Sequence, residues 1–249
     1  MEGMTYFYEL FEGLPRCGPG DNESTRRAFN VLSDLPPHPF ILDIGCGSGM
    51  QTIELARISN GRIVALDNHQ PFLDQLMERA NQEGVGQQIV PKNQSMLEMD
   101  FDDHMFDIIW SEGALYFMGF QNGLKRCRQL LKNKGYLAVT EVVYLLPNPP
   151  PPVLQFWEKE YPDIKDIHSK LALIQNEGFR LILNFTLPKS SWLESYYLPM
   201  EERLLNLRKK YQGNKIALSV FDDVQNEIDF YKMYSDYYGY EFFVMQRPE

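Results

Sequence analysis

Basic side chains are in short supply in this 249-residue sequence: 24 Lys and Arg stand against 34 Asp and Glu, a formal net charge of −10. Proteins that hold nucleic acid do so through clustered cations set against phosphates, so a nucleic-acid partner is not expected. Long apolar runs are also absent. No stretch approaches the roughly 20 residues that span a bilayer. The first residues lack a basic start followed by an apolar core, so neither a membrane partner nor a secretory leader is expected. Cysteine is scarce, with Cys17, Cys46 and Cys127 and no C-x-x-C pair. An odd, unpatterned set of thiols offers no disulfide framework and no metal site, and it points to a reducing, cytoplasmic compartment. There are no internal repeats, and the only biased tract is the proline run Pro147 to Pro152. What is left is an ordinary globular composition, 44% hydrophobic and 23% charged, in a chain long enough for a single α/β domain with insertions.

The chain is organised around residues 41 to 67. Ile41-Leu42-Asp43-Ile44 is a short apolar run, and Gly45-Cys46-Gly47-Ser48-Gly49 follows it at once. A helical pattern begins at Met50, so the stretch reads as a buried parallel strand, a tight turn and a helix start. Glycines suit backbone angles that a Cβ would oppose, and they let a ligand lie against bare backbone amides. Cys46, inside the turn, reads as a small side chain that fits rather than a nucleophile. A second strand, Arg62 to Leu66, ends in Asp67, which is 18 residues past Gly49. A carboxylate at that distance suits the two hydroxyls of a ribose.

Further strands are expected at Gln88–Pro91, Phe106–Trp110, Tyr136–Val142, Phe179–Leu187 and Tyr240–Met245. Pro91 cannot donate to a ladder and should lie at an edge. Helices are expected from Met50 to Ile58, across Phe72–Ala80, from Phe120 to Leu131, from Asp166 to Asn176, and along Ala217, Val220, Phe221, Val224, Ile228 and Tyr231. Ser24 is the expected cap of a helix running to about Ser33, with Ala28, Val31 and Leu32 inward. Pro147 to Pro152 reads as a stiff connection and not as a helix. This alternation implies right-handed crossovers and a doubly wound, mostly parallel Rossmann-like α/β sheet. Its ligand belongs beyond the C-terminal strand ends, where Gly45–Gly49, Asp67, Ser95-Met96 and Ser111-Glu112 converge.

The glycines run G-x-G-x-G. The dinucleotide fingerprint needs a third glycine one residue later, where this chain has Met50, and that counts against a nicotinamide-dependent oxidoreductase. On Leu42 to Gly49, Asp67, Ser95-Met96 and the strand Phe106 to Trp110, the sequence resembles the class I S-adenosylmethionine-dependent methyltransferases over about residues 40 to 145. The resemblance implies a seven-stranded sheet with an antiparallel last strand, S-adenosyl-L-methionine as cofactor, and methyl transfer to a small-molecule acceptor. It implies that Asp43 helps hold the cofactor ammonium, with Gly45, Cys46, Gly47 and Gly49 facing its methionine part. It also implies that Asp67 and Asn68 serve the ribose, that Ser95 and Met96 meet the adenine edge, and that Ser111 and Glu112 lie near the sulfonium. Many members carry Asp where this chain has Ser95.

Glu112 is the first candidate for a general base, its other reading being a capping or ion-paired carboxylate. Glu141 and His168 come behind it, and His38, His69 and His104 fall in turns with no expected chemistry. Tyr116, Trp157, Trp192, Tyr196 and Tyr197 are the candidate acceptor pocket, and they serve equally as packing. Residues 1–35 are expected to form a helical lid or simple packing, 36–145 the cofactor core and 188–215 a cap insertion before the last strand, all within one domain. A non-enzymatic S-adenosylmethionine binder is the competing function. The oligomeric state is left open.

Overall fold

The computed structural model describes residues 2–249; Met1, the first residue of the expected lid, lies outside them. Eight strands form one sheet: β1 (Phe40–Ile44), β2 (Arg62–Asp67), β3 (Ile89–Asn93), β4 (Phe106–Glu112), β5 (Leu131–Tyr144), β6 (Lys165–Asp166), β7 (Arg180–Thr186) and β8 (Tyr238–Gln246). The main path runs β3-β2-β1-β4-β5-β8-β7, and the two-residue β6 pairs with the end of β5. β8 is antiparallel to both its neighbours, and the rest of the path is parallel. Pro91 sits in edge strand β3, opposite Ala65 of β2, the kind of strand in which a residue without an N–H is tolerated.

The strands read as unbroken apolar runs because both faces are covered. Successive residues drop alternately into two cores. Ile63, Ala65, Ile108, Trp110, Phe242 and Val244 point to one, and Val64, Leu66, Ile109, Phe243 and Met245 to the other. The first core is roofed by α3 (Met50–Ser59), α4 (Gln70–Gln82) and α10 (Lys215–Tyr234), and the second by α5 (Phe120–Leu130) and α7 (Ile167–Asn176). Strand order reverses between β1 and β4, so their C-terminal ends open the crevice in which such sheets bind ligands.

Three local expectations are corrected. The helix α2 (Asn22–Phe29) is capped by Asp21, whose carboxylate accepts from the Ser24 amide at 2.7 Å and the Ser24 hydroxyl at 2.9 Å. Ser24 is therefore inside the helix as a donor. The helix also stops at Phe29, which leaves Leu32 beyond its end and Val31 exposed. Pro151 and Pro152 begin a helix, α6 (Pro151–Glu160), at the positions where the missing N–H costs nothing. β5 begins at Leu131, directly after α5, rather than at Tyr136.

The region 188–215 folds as a short helix α8 (Lys189–Trp192), one wide π turn (Leu193–Tyr197) and α9 (Leu198–Lys210). At the other end of the chain, α1 (Glu2–Phe11) packs beside α9 and α10. The Glu9 carbonyl accepts from the Arg203 guanidinium at 2.6 and 3.0 Å, and Lys210 and Tyr211 reach the Glu9 carboxylate. Two surface clefts of about 400 and 390 Å³ share Arg180, and the second also takes in Gln246, its partner across the start of β7 and the end of β8. That is the edge of the sheet opposite the glycine turn.

Candidate functional site

The glycine turn folds mostly on its own amides. Gly45 and Cys46 both donate to the Leu66 carbonyl, at 2.8 and 3.0 Å, and Gly49 donates to the Cys46 carbonyl at 3.0 Å. Gly47 donates to Asp67 Oδ2 at 3.0 Å. The expectation of bare amides awaiting a ligand is thus corrected at these four positions: the donors are spent in closing the turn, three of them onto β2 and one within the turn itself. The glycines answer to close approach instead. A Cβ at Gly49, where φ is +87°, would meet Leu76 Cδ1 of α4 at 2.0 Å, and one at Gly45 would meet the Ala114 Cβ at 2.3 Å.

The turn nonetheless brings its acids together. Asp67 is held by two backbone donors, Gly47 on one oxygen and His69 on the other at 2.9 Å, which leaves further acceptor capacity on each. Burial raises its proton affinity, and the amides of His69 and Gly47 work against that. Asp43 is fully buried at the end of β1. Its Oδ2 accepts from Thr52 Oγ1 at 2.6 Å and Gln51 Nε2 at 3.3 Å, while Oδ1 has no partner. Desolvation, with Glu112 and Asp67 nearby, lifts the Asp43 pKa to about 7. An orphaned buried acceptor among neighbouring acids is a place for a cation.

The other expected cofactor residues divide. Met96 approaches Gly45, its Cε 3.4 Å from where a Cβ would stand. Ser95 caps the short 3-10 turn Met96–Glu98 by accepting from the Leu97 amide at 3.2 Å. Ser111 is buried, and its hydroxyl donates to the Ile44 carbonyl at 3.0 Å, stitching β4 to β1. Cys46 is buried, and desolvation pushes its thiol well up, so the turn holds no thiolate. Asn68 is exposed just beyond Asp67.

Glu112 is engaged on both oxygens. Oε2 accepts from Arg16 at 3.1 Å, and Oε1 from Thr25 Oγ1 at 2.7 Å and Trp110 Nε1 at 2.9 Å. Both charged side chains of the pair are buried. The sequence alone had no signal for Arg16 or Thr25, which lie 96 and 87 residues away. The segment around them runs across the site. Cys17 covers Gly47, with its Sγ 3.1 Å from where a Cβ would stand. Arg79 donates to the Leu14 and Pro15 carbonyls, and Tyr8 stacks on His69 at 4.0 Å. The Gly20 amide donates to the Ser191 carbonyl at 3.2 Å, and Ser191 Oγ bonds Asp21, so the same segment also grips α8.

On the cap side the five expected aromatics fall into two groups. Trp157 and Trp192 pack: Trp157 meets Tyr238 edge-on at 5.0 Å, and Trp192 stacks on Tyr231 at 4.4 Å. Tyr196 and Tyr197 are buried together at 5.0 Å, and Tyr197 donates to Glu227 Oε1 at 2.9 Å. Tyr116 and Tyr196 lie within electrostatic range of the same carboxylate. Tyr240 joins them and rests against Gly113 in the loop after β4, 3.1 Å from where a Cβ would stand. Glu227 and Tyr240 were not singled out in the sequence. The signal was there, since Glu227 lies three residues after Val224 and four before Tyr231, on the inward stripe of α10.

Glu141 is buried and paired with Lys170 at 2.6 Å, with Tyr161 donating to the same oxygen at 2.8 Å. His168 is exposed on α7. Among the described residues no cluster of His, Cys, Asp and Glu could hold a metal, and no helix is long and apolar enough to cross a membrane.

Comparison with known proteins agrees with this geometry. Residues 41–135 match a family model described as a methyltransferase domain. The chain is 27% identical over 110 residues to a sterol 24-C-methyltransferase of Yarrowia lipolytica, covering 44% of this chain and 29% of that protein. It is 24% identical over 131 residues to the 27-O-demethylrifamycin SV methyltransferase of Amycolatopsis mediterranei, covering 51% and 48%. The chain therefore spans less than half the length of either relative. A solved SAM-dependent methyltransferase from Geobacter sulfurreducens, in complex with S-adenosyl-L-homocysteine, shares the fold at a TM-score of 0.86 and 18% identity over 98% of each chain. Residues 41–135 thus match a methyltransferase domain, and the chain built around them has the Rossmann-like fold of the S-adenosylmethionine-dependent methyltransferases.

Proposed function

We propose that the protein binds S-adenosylmethionine at the C-terminal lip of β1, β2 and β4 and transfers its methyl group to a small-molecule acceptor. The observation that carries the reading is the Gly47 amide held 3.0 Å from Asp67 Oδ2, which brings the glycine turn and the second-strand acid to one rim. Asp67 accepts the ribose hydroxyls, and the unpartnered Asp43 Oδ1 takes the ammonium. The cofactor supplies a sulfonium methyl that is already a strong electrophile, so this chain's task is placement and exclusion of water. Cys17, Arg16 and the helix start at Asp21 close over the turn, and in this reading residues 2–35 are the lid and 188–215 the cap of one domain. Glu112 holds that lid through Arg16 and Thr25. This makes it a positioning residue rather than a base.

The test is calorimetric titration with S-adenosylhomocysteine. We expect micromolar-range binding, weakened at least about tenfold by Asp67→Ala, since two charge-assisted hydrogen bonds are lost. No heat at millimolar ligand overturns the reading. Release of S-adenosylhomocysteine from the methyl donor with an acceptor panel then separates an enzyme from a binder.

A further inference from the structure

Among the enclosed carboxylates of the described residues, Asp43 and Glu227 have no basic side chain either paired with them or acting on them from within electrostatic range. The others have a basic side chain at hand. Glu54 has Arg26 and Arg57, Glu112 has Arg16, and Glu141 has Lys170. Arg27 lies within electrostatic range of Glu241, and His69 within range of Asp67. Asp43 belongs to the cofactor end. Glu227 lies on the cap side, and its one hydrogen bond is the 2.9 Å contact from Tyr197. The charged group that acts on it is another acid, Glu160. It is enclosed by protein, yet part of its surface faces open space rather than packed atoms. Desolvation raises its proton affinity, and no positive charge offsets that.

The surroundings of Glu227 are aromatic. Tyr197 stands 5.0 Å from Tyr196 and 6.0 Å from Trp192, and Trp192 meets Tyr240 edge-on at 4.7 Å, so the rings form one continuous wall. Tyr116, Tyr196 and Tyr240 all lie within electrostatic range of Glu227. The wall also reaches the cofactor lip, because Tyr240 touches the Gly113 position and Tyr196 lies within range of Cys17 over Gly47. A half-buried anion without a cation is costly to keep in a fold, and tyrosine rings attract cations strongly where water is excluded. The two features are explained together by a ligand that brings the missing charge.

We propose that Glu227, walled by Tyr116, Tyr196, Tyr197 and Tyr240, is the subsite that recognises a cationic amine, and that the methyl acceptor is therefore a molecule that carries such a group. This rests on the reading of the lip as a methyl-donor site, but its test does not depend on it. Choline, ethanolamine and the neutral isostere 3,3-dimethylbutan-1-ol are titrated into the full chain, with and without S-adenosylhomocysteine, and followed by intrinsic tryptophan fluorescence. The expected result is at least about tenfold tighter binding of one of the cations than of the neutral alcohol. Glu227→Gln should abolish that preference while the S-adenosylhomocysteine affinity stays unchanged. Tyr197→Phe, which keeps the carboxylate and removes its one donor, should retain the preference, and it serves as the control if Glu227→Gln folds poorly. Equal binding of cations and alcohol, or no binding of either cation, overturns the proposal. Failure of S-adenosylhomocysteine alone to bind overturns the methyl-donor reading and leaves the cation preference to be judged on the free protein.

Discussion

Two glutamates flank the candidate site, and they are provisioned in opposite ways. Glu112, at the end of β4, has a buried guanidinium, a hydroxyl and an indole N–H. Glu227, on α10, has one phenol and an acidic neighbour. A carboxylate with all its needs met inside the protein is part of the framework. One left short is either a defect or a binding group. Motif position pointed to the first, whereas the second stood on the inward stripe of α10 with no motif to mark it.

The comparison breaks most readily at Glu112. Glu112→Ala strands the Arg16 guanidinium in a buried setting, and loss of one partner from such a pair costs about 3–5 kcal/mol. Denaturant melts should show a loss of that size together with faster proteolysis between Glu12 and Thr25. A loss below about 1 kcal/mol, the range of an exposed pair, would mean that Glu112 is not the anchor described here. Asp43 gives the next effect, and it carries a pH signature. Its folded pKa of about 7 lies above the unfolded value near 3.8. The folded state therefore holds the extra proton, and stability falls as pH rises through that window. Asp43→Asn should raise stability by about 1–3 kcal/mol near pH 8 and change little near pH 4, while weakening the cofactor. A variant equally stabilised at both pH values would remove Asp43 from this role. Glu227→Gln should show the smallest effect, a slight gain in the free protein at neutral pH and above, because its folded pKa is also raised. A marked loss of stability would make Glu227 a framework residue like Glu112.

The parallel core was legible because each signal there is local. The strand Ile41–Ile44, the three glycines and Asp67 fall within 27 residues, and the apolar stripe of α10 is periodic. Proline misled locally: Pro151 and Pro152 read as connection, but the first turn of a helix has no use for their missing N–H groups. Ser24 misled as a cap because Asp21, three residues earlier, starts the helix sooner and takes both the Ser24 amide and the Ser24 hydroxyl as donors. The glycine turn misled about its amides, since no local rule says whether a donor is spent on a neighbouring strand. Arg16, Thr25 and Tyr240 meet the site only through contacts made far along the chain, and such contacts leave no periodic trace. Glu227 stood on a readable stripe, where one acid among apolar residues is the kind of exception that marks a functional position.

The strap from Glu12 to Thr25 fastens to the lip at Glu112 and Arg79 and to the cap at Ser191. If both sites bind as proposed, two ligand berths share a single door. Neither guest can leave while the door is barred, so the departure of spent donor and of methylated product would be coupled in time. Stopped-flow dilution would register that coupling as one common slow phase, and two independent rates would show that each berth has its own exit.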